Sequence, residues 1–376
     1  MKAHLIGALA ASIAFCAQAQ QTVFIPIVIE VSGSGAVSGT NFRDGALMAI
    51  DEVNAKGGIL GRKINAPVSD TQTNPGISRA QVQKALDGNP YAILGPVFSG
   101  SVKVNMLLAQ AAEIPQFTGA EAAEITQMGN DYIFRTSFGQ QMSMPKMAVF
   151  VADGIKAKSV AFLWVNNDYG KGGRDVFFKE MAKRNIKIVA DISTEAGQVD
   201  FAADIVKLKS ANADAIFIYT NEEECARVLR EARKQAVKTP IIGETNVISQ
   251  KVIDLAGDTA EGVRGHVGLT ADAPIPAVQA FTDRFQKRYK YVPDHNGIKG
   301  YTAVYAIKHA TEKLGKFDSK ALAKLMKGLT IKPEQEPGIL MEATWDAKGD
   351  IDRISFLVEV VKGRQKVVEV LPKLGK

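Results

Sequence analysis

The chain is poor in the residues that most often carry metal or thiol chemistry. It has two cysteines, Cys16 and Cys225, and four histidines among 376 residues. The histidines are scattered, and none shows the spacing of a metal-ligand pair. A lone cysteine without a partnering histidine is more often a small packing residue than a nucleophile. The sequence therefore predicts no metal site, no cofactor and no catalytic thiol.

Long apolar runs and one-sided charge clusters are also missing. After the first twenty residues, no continuous apolar stretch reaches the length that would span a bilayer. The net charge is +6, but the basic residues are interleaved with acids along helical segments such as 222–235. No basic cluster interleaved with aromatic residues appears, as a nucleic-acid surface would require. The charge pattern is that of solvated helix faces, and no nucleic-acid partner is expected.

The N-terminal segment MKAHLIGALAASIAFCAQAQ has the three parts of a secretory signal. Lys2 is followed by the apolar run 5–15 and then by the small-residue pattern 17–19, so cleavage is expected after Ala19. Bulky Phe15 precedes Cys16 where a lipoprotein signal needs a small residue, which argues against lipidation. The mature protein is predicted to be exported, with Cys225 as its one cysteine and no intramolecular disulfide.

Residues 27–54, IVIEVSGSGAVSGTNFRDGALMAIDEVN, place a glycine-rich loop between an apolar strand and an amphipathic helix. A dinucleotide fingerprint needs a third glycine where this chain has Ser38. It also needs an acidic residue about 20 positions further on, whereas Asp70 lies well beyond that point. A nucleotide site is therefore disfavoured. Backbone N–H groups at a helix N-terminus would still favour an anion of another kind, including a carboxylate.

Short β-rich runs alternate with amphipathic helical stretches along most of the chain. This alternation predicts parallel sheets covered by helices on both faces. The rhythm occurs twice, so we expect two doubly wound α/β lobes. The first strands are expected at 23–31 and 63–69, and the first helix at 41–55. Two successive helical patterns (276–289 and 297–314) break the rhythm, and the tail 343–370 is predicted to form one β-meander.

An ordered set of motifs resembles the periplasmic branched-chain amino-acid-binding protein family of ABC importers. The resemblance begins at VSGSGAVSGTNFRDGALMAIDEVNAKGGILGRKI and continues through YAILGPVFSGSV, IPQFTGAEAAEIT, FLWVNNDYGKG, ADAIFIYTNEEE, PIIGET and GYTAVYAIKHA. It implies a type I periplasmic-binding fold with three crossovers between the lobes, near residues 139, 267 and 340. The implied lobe one comprises 20–139 and 268–340, and the implied lobe two comprises 140–267 and 341–376.

The resemblance also implies ligand-binding residues in lobe one. Ser99, followed by Gly100, matches the family serine that holds the ligand's α-carboxylate; the alternative is that Ser99 merely caps a helix over Ser101–Glu113. Ala120 keeps the family residue, but Glu121 stands where threonine is usual. A carboxylate there would repel the ligand's carboxylate unless an ammonium, protonated or cationic group lies beside it. A solvent-facing role for Glu121 remains the alternative.

Four implied positions lie in lobe two, and one more lies in lobe one. Tyr169 matches the tyrosine that lines the cleft, although packing between the lobes is an alternative role. Asn221 falls where some relatives have an aromatic residue. The family's ammonium-binding glutamate aligns with Thr245, and Glu244 is one residue early. In lobe one, Ser38 on the glycine loop is expected to face the ligand.

By resemblance, the chain is expected to be a periplasmic solute-binding protein. It would capture an amino acid or related amine-bearing carboxylate by lobe closure and present it to a membrane ABC permease through both lobes. An amide or aromatic carboxylate is the alternative ligand, and a ligand-sensing receptor is the alternative role. A monomer is expected. No nucleophile elbow or histidine-centred arrangement appears, so an enzyme is not expected.

Overall fold

The computed structural model describes residues 21–375. The predicted signal segment 1–19 and its cleavage site lie outside these residues. None of the helices in the described range combines the length and the apolar character needed to cross a membrane.

Lobe one is built around a five-stranded parallel sheet of order β4-β2-β5-β6-β7. Strands β1 and β3 form a separate parallel pair. Pro26 and Pro67 lack a backbone N–H and interrupt the two strands expected at 23–31 and 63–69, so each becomes two short strands. The elements are β1 Thr22–Phe24, β2 Ile27–Ile29, α1 Ala36–Ala55, β3 Lys63–Asn65, β4 Val68–Asp70, α2 Pro75–Asp87, β5 Ile93–Leu94, α3 Ser99–Ala111, β6 Gln116–Thr118, α4 Glu124–Gln127 and β7 Ile133–Arg135.

Lobe two is built around a seven-stranded sheet of order β17-β16-β12-β11-β10-β8-β9. Its first elements are α5 Gln140–Val149, β8 Ser159–Val165, α6 Asp168–Lys183, β9 Lys187–Thr194, α7 Ala202–Ser210, β10 Ala215–Tyr219, α8 Glu222–Lys234, β11 Ile241–Glu244, α9 Gln250–Ala256 and β12 Arg264–Val267. The chain then continues through α10 Pro276–Tyr289, α11 His295–Leu314, α12 Ser319–Met326, β13 Thr330–Ile331, β14 Ala343–Trp345, β15 Ile351–Asp352, β16 Ser355–Val361 and β17 Arg364–Leu371.

The C-terminal tail does not form the single meander that the sequence predicts. Strand β14 pairs with β13 on one side and β15 on the other in a small three-stranded sheet. Strand β16 instead joins the sheet of lobe two antiparallel to β12, and β17 pairs with β16. The expected meander is therefore divided between two sheets at residues 353–354. These pairings favour a third crossover after Asp352 rather than near 340, and the exact lobe boundaries stay a prediction.

Helices α1 and α11 cross in direct backbone contact. A Cβ atom at Gly45 would lie 1.9 Å from the carbonyl oxygen of Gly297, and one at Gly300 would lie 2.0 Å from that of Phe42. Both distances are far inside van der Waals contact, so only glycine fits at either position. The crossing brings the N-terminal halves of the two helices together, and Ser38 of α1 and Lys299 of α11 line the same cavity.

Two buried or partly buried carboxylates brace the loops at the ends of the lobe-one strands. Asp70 accepts hydrogen bonds from the N–H groups of Val31 (2.8 Å) and Ser32 (3.1 Å). Glu30 accepts from the N–H groups of Val97 (3.0 Å) and Phe98 (3.2 Å), and burial raises the pKa of Glu30 to about 7. Asp70 thus fixes the glycine loop, while Glu30 fixes the entry to α3.

The first helix begins earlier than the sequence predicts. Helix α1 starts at Ala36 instead of residue 41, with Gly35 as its N-cap. Ser38 therefore lies in the first turn of a helix rather than on the loop, which corrects the expectation. Its backbone N–H is part of the positive end of the helix dipole.

Replacing Gly300 with alanine tests the helix crossing. The added methyl group would meet the backbone of α1, so we expect a lower thermal midpoint, with a cost of about 1–3 kcal/mol as for other overpacked sites. Gly76→Ala in α2 is the matched control, because its new Cβ would meet only the Asn74 side chain at 3.2 Å. Differential scanning calorimetry of both variants provides the measurement. Equal midpoints would contradict the backbone contact.

Candidate ligand-binding site

A cavity of about 300 Å³ lies between the two lobes. Much of its wall comes from the first turns of helices: α1, α2, α3 and α11 from lobe one, and α6 and α8 from lobe two. The N–H groups of a first turn carry partial positive charge, which favours an anionic group on the ligand. The lining residues are Ser34, Ser38, Thr73, Pro75, Val97, Phe98, Ser99, Gly100, Ser101, Gly119, Glu121, Asn167, Asp168, Tyr169, Ala196, Asn221, Glu222, Asn246, His295, Asn296 and Lys299.

The cavity contains most, though not all, of the site residues expected from the sequence. The expected residues on its wall are Ser38, Ser99, Gly100, Glu121, Tyr169 and Asn221. Ala120, Glu244 and Thr245 are buried but do not line it. The roles of all nine toward a ligand stay predictions.

Ser99 is the first residue of α3 rather than the cap of a later helix. The N-cap is Phe98, which makes no side-chain capping bond, so the interpretation of Ser99 as a cap for Ser101–Glu113 is wrong. The Ser99 hydroxyl accepts a hydrogen bond from the N–H of Ala122 at 3.2 Å. Its own proton remains available to a carboxylate. Nearby Ser101 has a buried hydroxyl with no partner among the described residues.

Glu121 forms a buried ion pair with Lys299, a residue that the sequence analysis did not identify. The Lys299 Nζ lies 2.7 Å from the Glu121 Oε1 and 3.3 Å from the Asn296 Oδ1. Burial raises the pKa of Glu121, and the Lys299 ammonium opposes this rise. The cationic group that a carboxylate at this position requires is thus supplied by the protein itself. The one available signal is a lysine flanked by small or apolar residues near the start of a helix, in the stretch GIKGY.

Tyr169 packs its ring against lobe two, while its hydroxyl has no partner among the described residues. Its ring stacks on Tyr219 with centroids 4.3 Å apart. Gln140 donates to the Tyr169 carbonyl (2.6 Å) and the Tyr219 hydroxyl (2.9 Å), and accepts from the N–H of Ala123 (3.0 Å). The Tyr169 Oη is buried without a hydrogen bond among the described residues. A buried hydroxyl of this kind is costly unless something satisfies it, so it is available to a ligand.

Two polar contacts join the lobes across the cavity. The buried hydroxyl of Ser38 donates to the Glu222 Oε1 at 2.5 Å. At the rim, the Lys103 Nζ lies 2.7 Å from the Glu124 Oε2 of lobe one and 2.7 Å from the Asp168 Oδ1 of lobe two. Glu222 is not among the site residues predicted from the sequence. Its charge there indicates only a solvated helix start.

Asn221 lines the cavity, but its side chain serves its own helix. It forms a capping box with Glu224, and its amide donates to the Glu224 Oε1 at 3.0 Å. A capping box satisfies N–H groups that a helix start leaves unpaired. The polar side chain therefore fixes the start of α8, and with it the position of the adjacent Glu222.

Glu244 is engaged away from the cavity. Its Oε1 lies 2.6 Å from the His266 Nδ1, and its Oε2 accepts from the N–H of Thr245 at 2.8 Å. His266 in turn contacts Phe138 edge-on, with centroids 5.6 Å apart. Both Glu244 oxygens thus have protein partners, and neither candidate for the ammonium position lies on the cavity wall.

Neither a metal centre nor a reactive thiol is evident in the described part of the chain. No group of three or more histidine, cysteine or carboxylate residues there could hold a metal ion. Cys225 is buried, with its Sγ 3.1 Å from the Thr220 Oγ1. Burial raises the pKa of its thiol to about 12, which suits a packing role.

The sequence pattern of the family described as "Periplasmic binding protein" matches residues 22–365. The chain belongs to this family. It is 29% identical to the leucine-, isoleucine-, valine-, threonine- and alanine-binding protein of Pseudomonas aeruginosa, over 94% of each chain. It is also 29% identical to the Leu/Ile/Val-binding protein homolog 1 of Brucella abortus, over 91% of each chain.

Solved structures show the same fold. The isoleucine complex of the substrate-binding protein LivJ from Streptococcus pneumoniae has a TM-score of 0.84 at 25% identity, covering 94% of this chain and 100% of that one. A benzoate complex of a solute-binding protein from R. palustris has a TM-score of 0.85 at 18% identity, covering 94% and 98%. These likenesses confirm the predicted type I fold of two doubly wound α/β lobes. Family membership implies a periplasmic protein that binds small molecules for an ABC transporter.

Removing the Lys299 ammonium tests the buried ion pair. Lys299→Met would leave the Glu121 carboxylate buried without its counter-charge, a change that typically costs about 3–5 kcal/mol. We expect a large drop in the thermal midpoint. The double variant Lys299→Met with Glu121→Leu removes both charges and should recover much of the loss. A double variant no more stable than Lys299→Met alone would contradict the pairing.

The pH dependence of stability tests the buried carboxylates. Burial raises the pKa of Glu30, Glu121 and Asp294 to about 7. The folded state therefore binds protons that the unfolded state does not, and stability should rise as the pH falls from 8 to 6.5. Below about 6.5, buried His295, whose pKa burial lowers, works in the opposite direction.

Asp294→Asn is the matched variant for this measurement. The Asp294 Oδ1 caps α11 by accepting from the N–H groups of Asn296 (2.7 Å) and Gly297 (3.3 Å). Asparagine keeps that cap but cannot ionise. Calorimetry across the pH range should give a shallower slope for the variant than for the native chain. A native thermal midpoint that decreases as the pH is lowered from 8 to 6.5 would contradict the assignment.

Proposed function

We propose that the protein is the solute-binding component of an ABC importer and captures an amino acid, or a related amine-bearing carboxylate, between its lobes. The single observation that carries this proposal is the charge pattern of the cavity. Helix N-termini around Ser99 favour a carboxylate. The wall also carries Glu121 and Glu222, and Lys299 forms an ion pair with Glu121 alone. A ligand with one negative and one positive group complements both features. The names of the relatives in Pseudomonas aeruginosa and Brucella abortus support this ligand class.

Binding requires closure of the two lobes over the solute, without covalent chemistry. The cavity wall comes from both lobes, so a bound solute stabilises the closed arrangement by contacting each of them. The permease would recognise the faces of both lobes in that arrangement, and the protein would act as a monomer.

An aromatic carboxylate is the second candidate ligand. The side chains of Phe98 and Tyr169 both line the cavity, and aromatic rings favour one another in stacked or edge-on packing. The same helix N-termini would receive its carboxylate. This candidate leaves Glu222 without a positively charged partner, which is why the amino acid is preferred.

Native mass spectrometry of protein purified from the exported fraction, before and after denaturation, would identify a captured solute by its mass. Thermal midpoints would then be measured with the twenty L-amino acids, simple amides, benzoate and hydroxybenzoates. We expect an amino acid to give the largest increase; a ligand at 100 times its Kd adds about 2.7 kcal/mol. Stabilisation by benzoates alone would support the second candidate, and stabilisation by none would contradict both.

Substituting Ser99 tests whether the cavity is the site of this stabilisation. Ser99→Ala removes a hydroxyl expected to donate to the carboxylate, at a cost of about 1.5–3 kcal/mol for a hydrogen bond to a charged group. Ser210→Ala, at an exposed position at the end of α7, is the control and should bind as the native chain does. An unchanged affinity in Ser99→Ala would place the ligand elsewhere.

A further inference from the structure

The ionisable groups of the cavity wall are nearly all paired within the protein. Glu121 pairs with Lys299, and Asp168 pairs with Lys103 at the rim. Burial lowers the pKa of His295 well below its usual range, so its ring is neutral. Glu222 is the remaining carboxylate on the wall, and no lysine or arginine among the described residues forms an ion pair with it.

The Glu222 carboxylate has room for one more partner. Its Oε1 accepts from the Ser38 hydroxyl at 2.5 Å, and its Oε2 receives no hydrogen bond from another described residue. Glu222 is the first residue of α8, where the helix dipole favours a negative charge. The other groups near it are Glu224, Asp294 and Lys299, of which the two acids disfavour its ionised form and the lysine favours it. A positive charge from outside would complete this arrangement.

Glu244 is less well placed for this role. Its two oxygens are bound to His266 and to the N–H of Thr245, and it does not line the cavity. Glu121 is likewise engaged by Lys299. Burying an ionised carboxylate without a counter-charge is energetically costly. A ligand cation would therefore stabilise the ionised form of Glu222 more than that of the other two acids.

We propose that Glu222 receives the positively charged group of the ligand, so that lobe one holds the carboxylate and lobe two holds the amine. This inference rests on the proposed function. It makes closure depend on both charges, because a solute that lacks the amine contacts lobe one at the start of α3 but gains no ionic contact with lobe two. The cleft therefore discriminates an amino acid from the corresponding acid without the amine.

Isothermal titration calorimetry tests this assignment with a pair of probes: the L-amino acid that most stabilises the native chain, and its deaminated acid (L-leucine and 4-methylpentanoate, for example). The native chain should bind the amino acid at least about 30-fold more tightly, as expected when one partner of a buried charge pair is missing. Glu222→Gln keeps the acceptor for Ser38 but loses the charge. The substitution should lower the affinity for the amino acid by at least about 30-fold. The affinity for the deaminated acid should change by no more than about threefold.

Three further variants separate the charge of Glu222 from its structural role. Glu223→Gln changes the adjacent acid, whose side chain is 54% exposed, and should bind both probes as the native chain does. Ser38→Ala removes the Ser38–Glu222 contact but keeps the Glu222 carboxylate. It should lower the affinity for the amino acid less than Glu222→Gln does. Glu244→Gln should preserve the preference for the amino acid. Thermal midpoints without probe show whether each variant is folded, and Glu222→Met, which also removes the charge, replaces Glu222→Gln if the latter is not.

The outcomes distinguish the inference from the proposed function. If the native chain binds no amino acid, the proposed function is wrong. If it binds the amino acid and Glu222→Gln binds it within about threefold of the native affinity, the function stands and the inference is overturned. Loss of the preference in Glu244→Gln but not in Glu222→Gln would also overturn it. Equal native affinities for the two probes would do the same.

Discussion

The contact between the backbones of α1 and α11 is the constraint on which the rest of the cleft depends. The two helices are separated along the chain by most of the molecule, and they meet because Gly45 and Gly300 have no side chains to keep them apart. This approach places Ser38 and Lys299 on one wall. The same wall carries the Lys299–Glu121 pair and the Ser38–Glu222 contact. Close packing at two glycines thus helps to position the charged groups of the site.

The carboxylates in and near the cleft differ in the partners that hold them. At the ends of the lobe-one strands, Asp70 and Glu30 use backbone N–H groups as partners and so fix loops instead of facing a solute. On the wall, Glu121 has a lysine. Glu222 has only a hydroxyl from the opposite lobe. Most of these carboxylates are thus engaged by the protein itself, and Glu222 is the one on the wall that has no basic partner among the described residues.

The parts of the fold that could be predicted are those that depend on local sequence. The α/β alternation, the two lobes and the exposure of Ser99 and Tyr169 to the cavity follow from strand ends, helix starts and a family resemblance. The features that the sequence did not predict depend on contacts between residues far apart in the chain, which local patterns do not contain. Lys299 meets Glu121 across 178 positions and Ser38 meets Glu222 across 184. The division of the C-terminal tail is likewise a matter of which sheet edge each hairpin reaches, and alternating residues cannot specify that choice.

The two polar contacts that join the lobes across the cavity differ in their exposure to the medium. Ser38 and Glu222 are buried, whereas Lys103, Glu124 and Asp168 lie at the rim with side chains 26%, 62% and 41% exposed. Salt weakens ion pairs between exposed side chains, and it screens buried groups much less. Rising salt therefore weakens the contact at the rim while the buried contact between Ser38 and Glu222 keeps most of its strength.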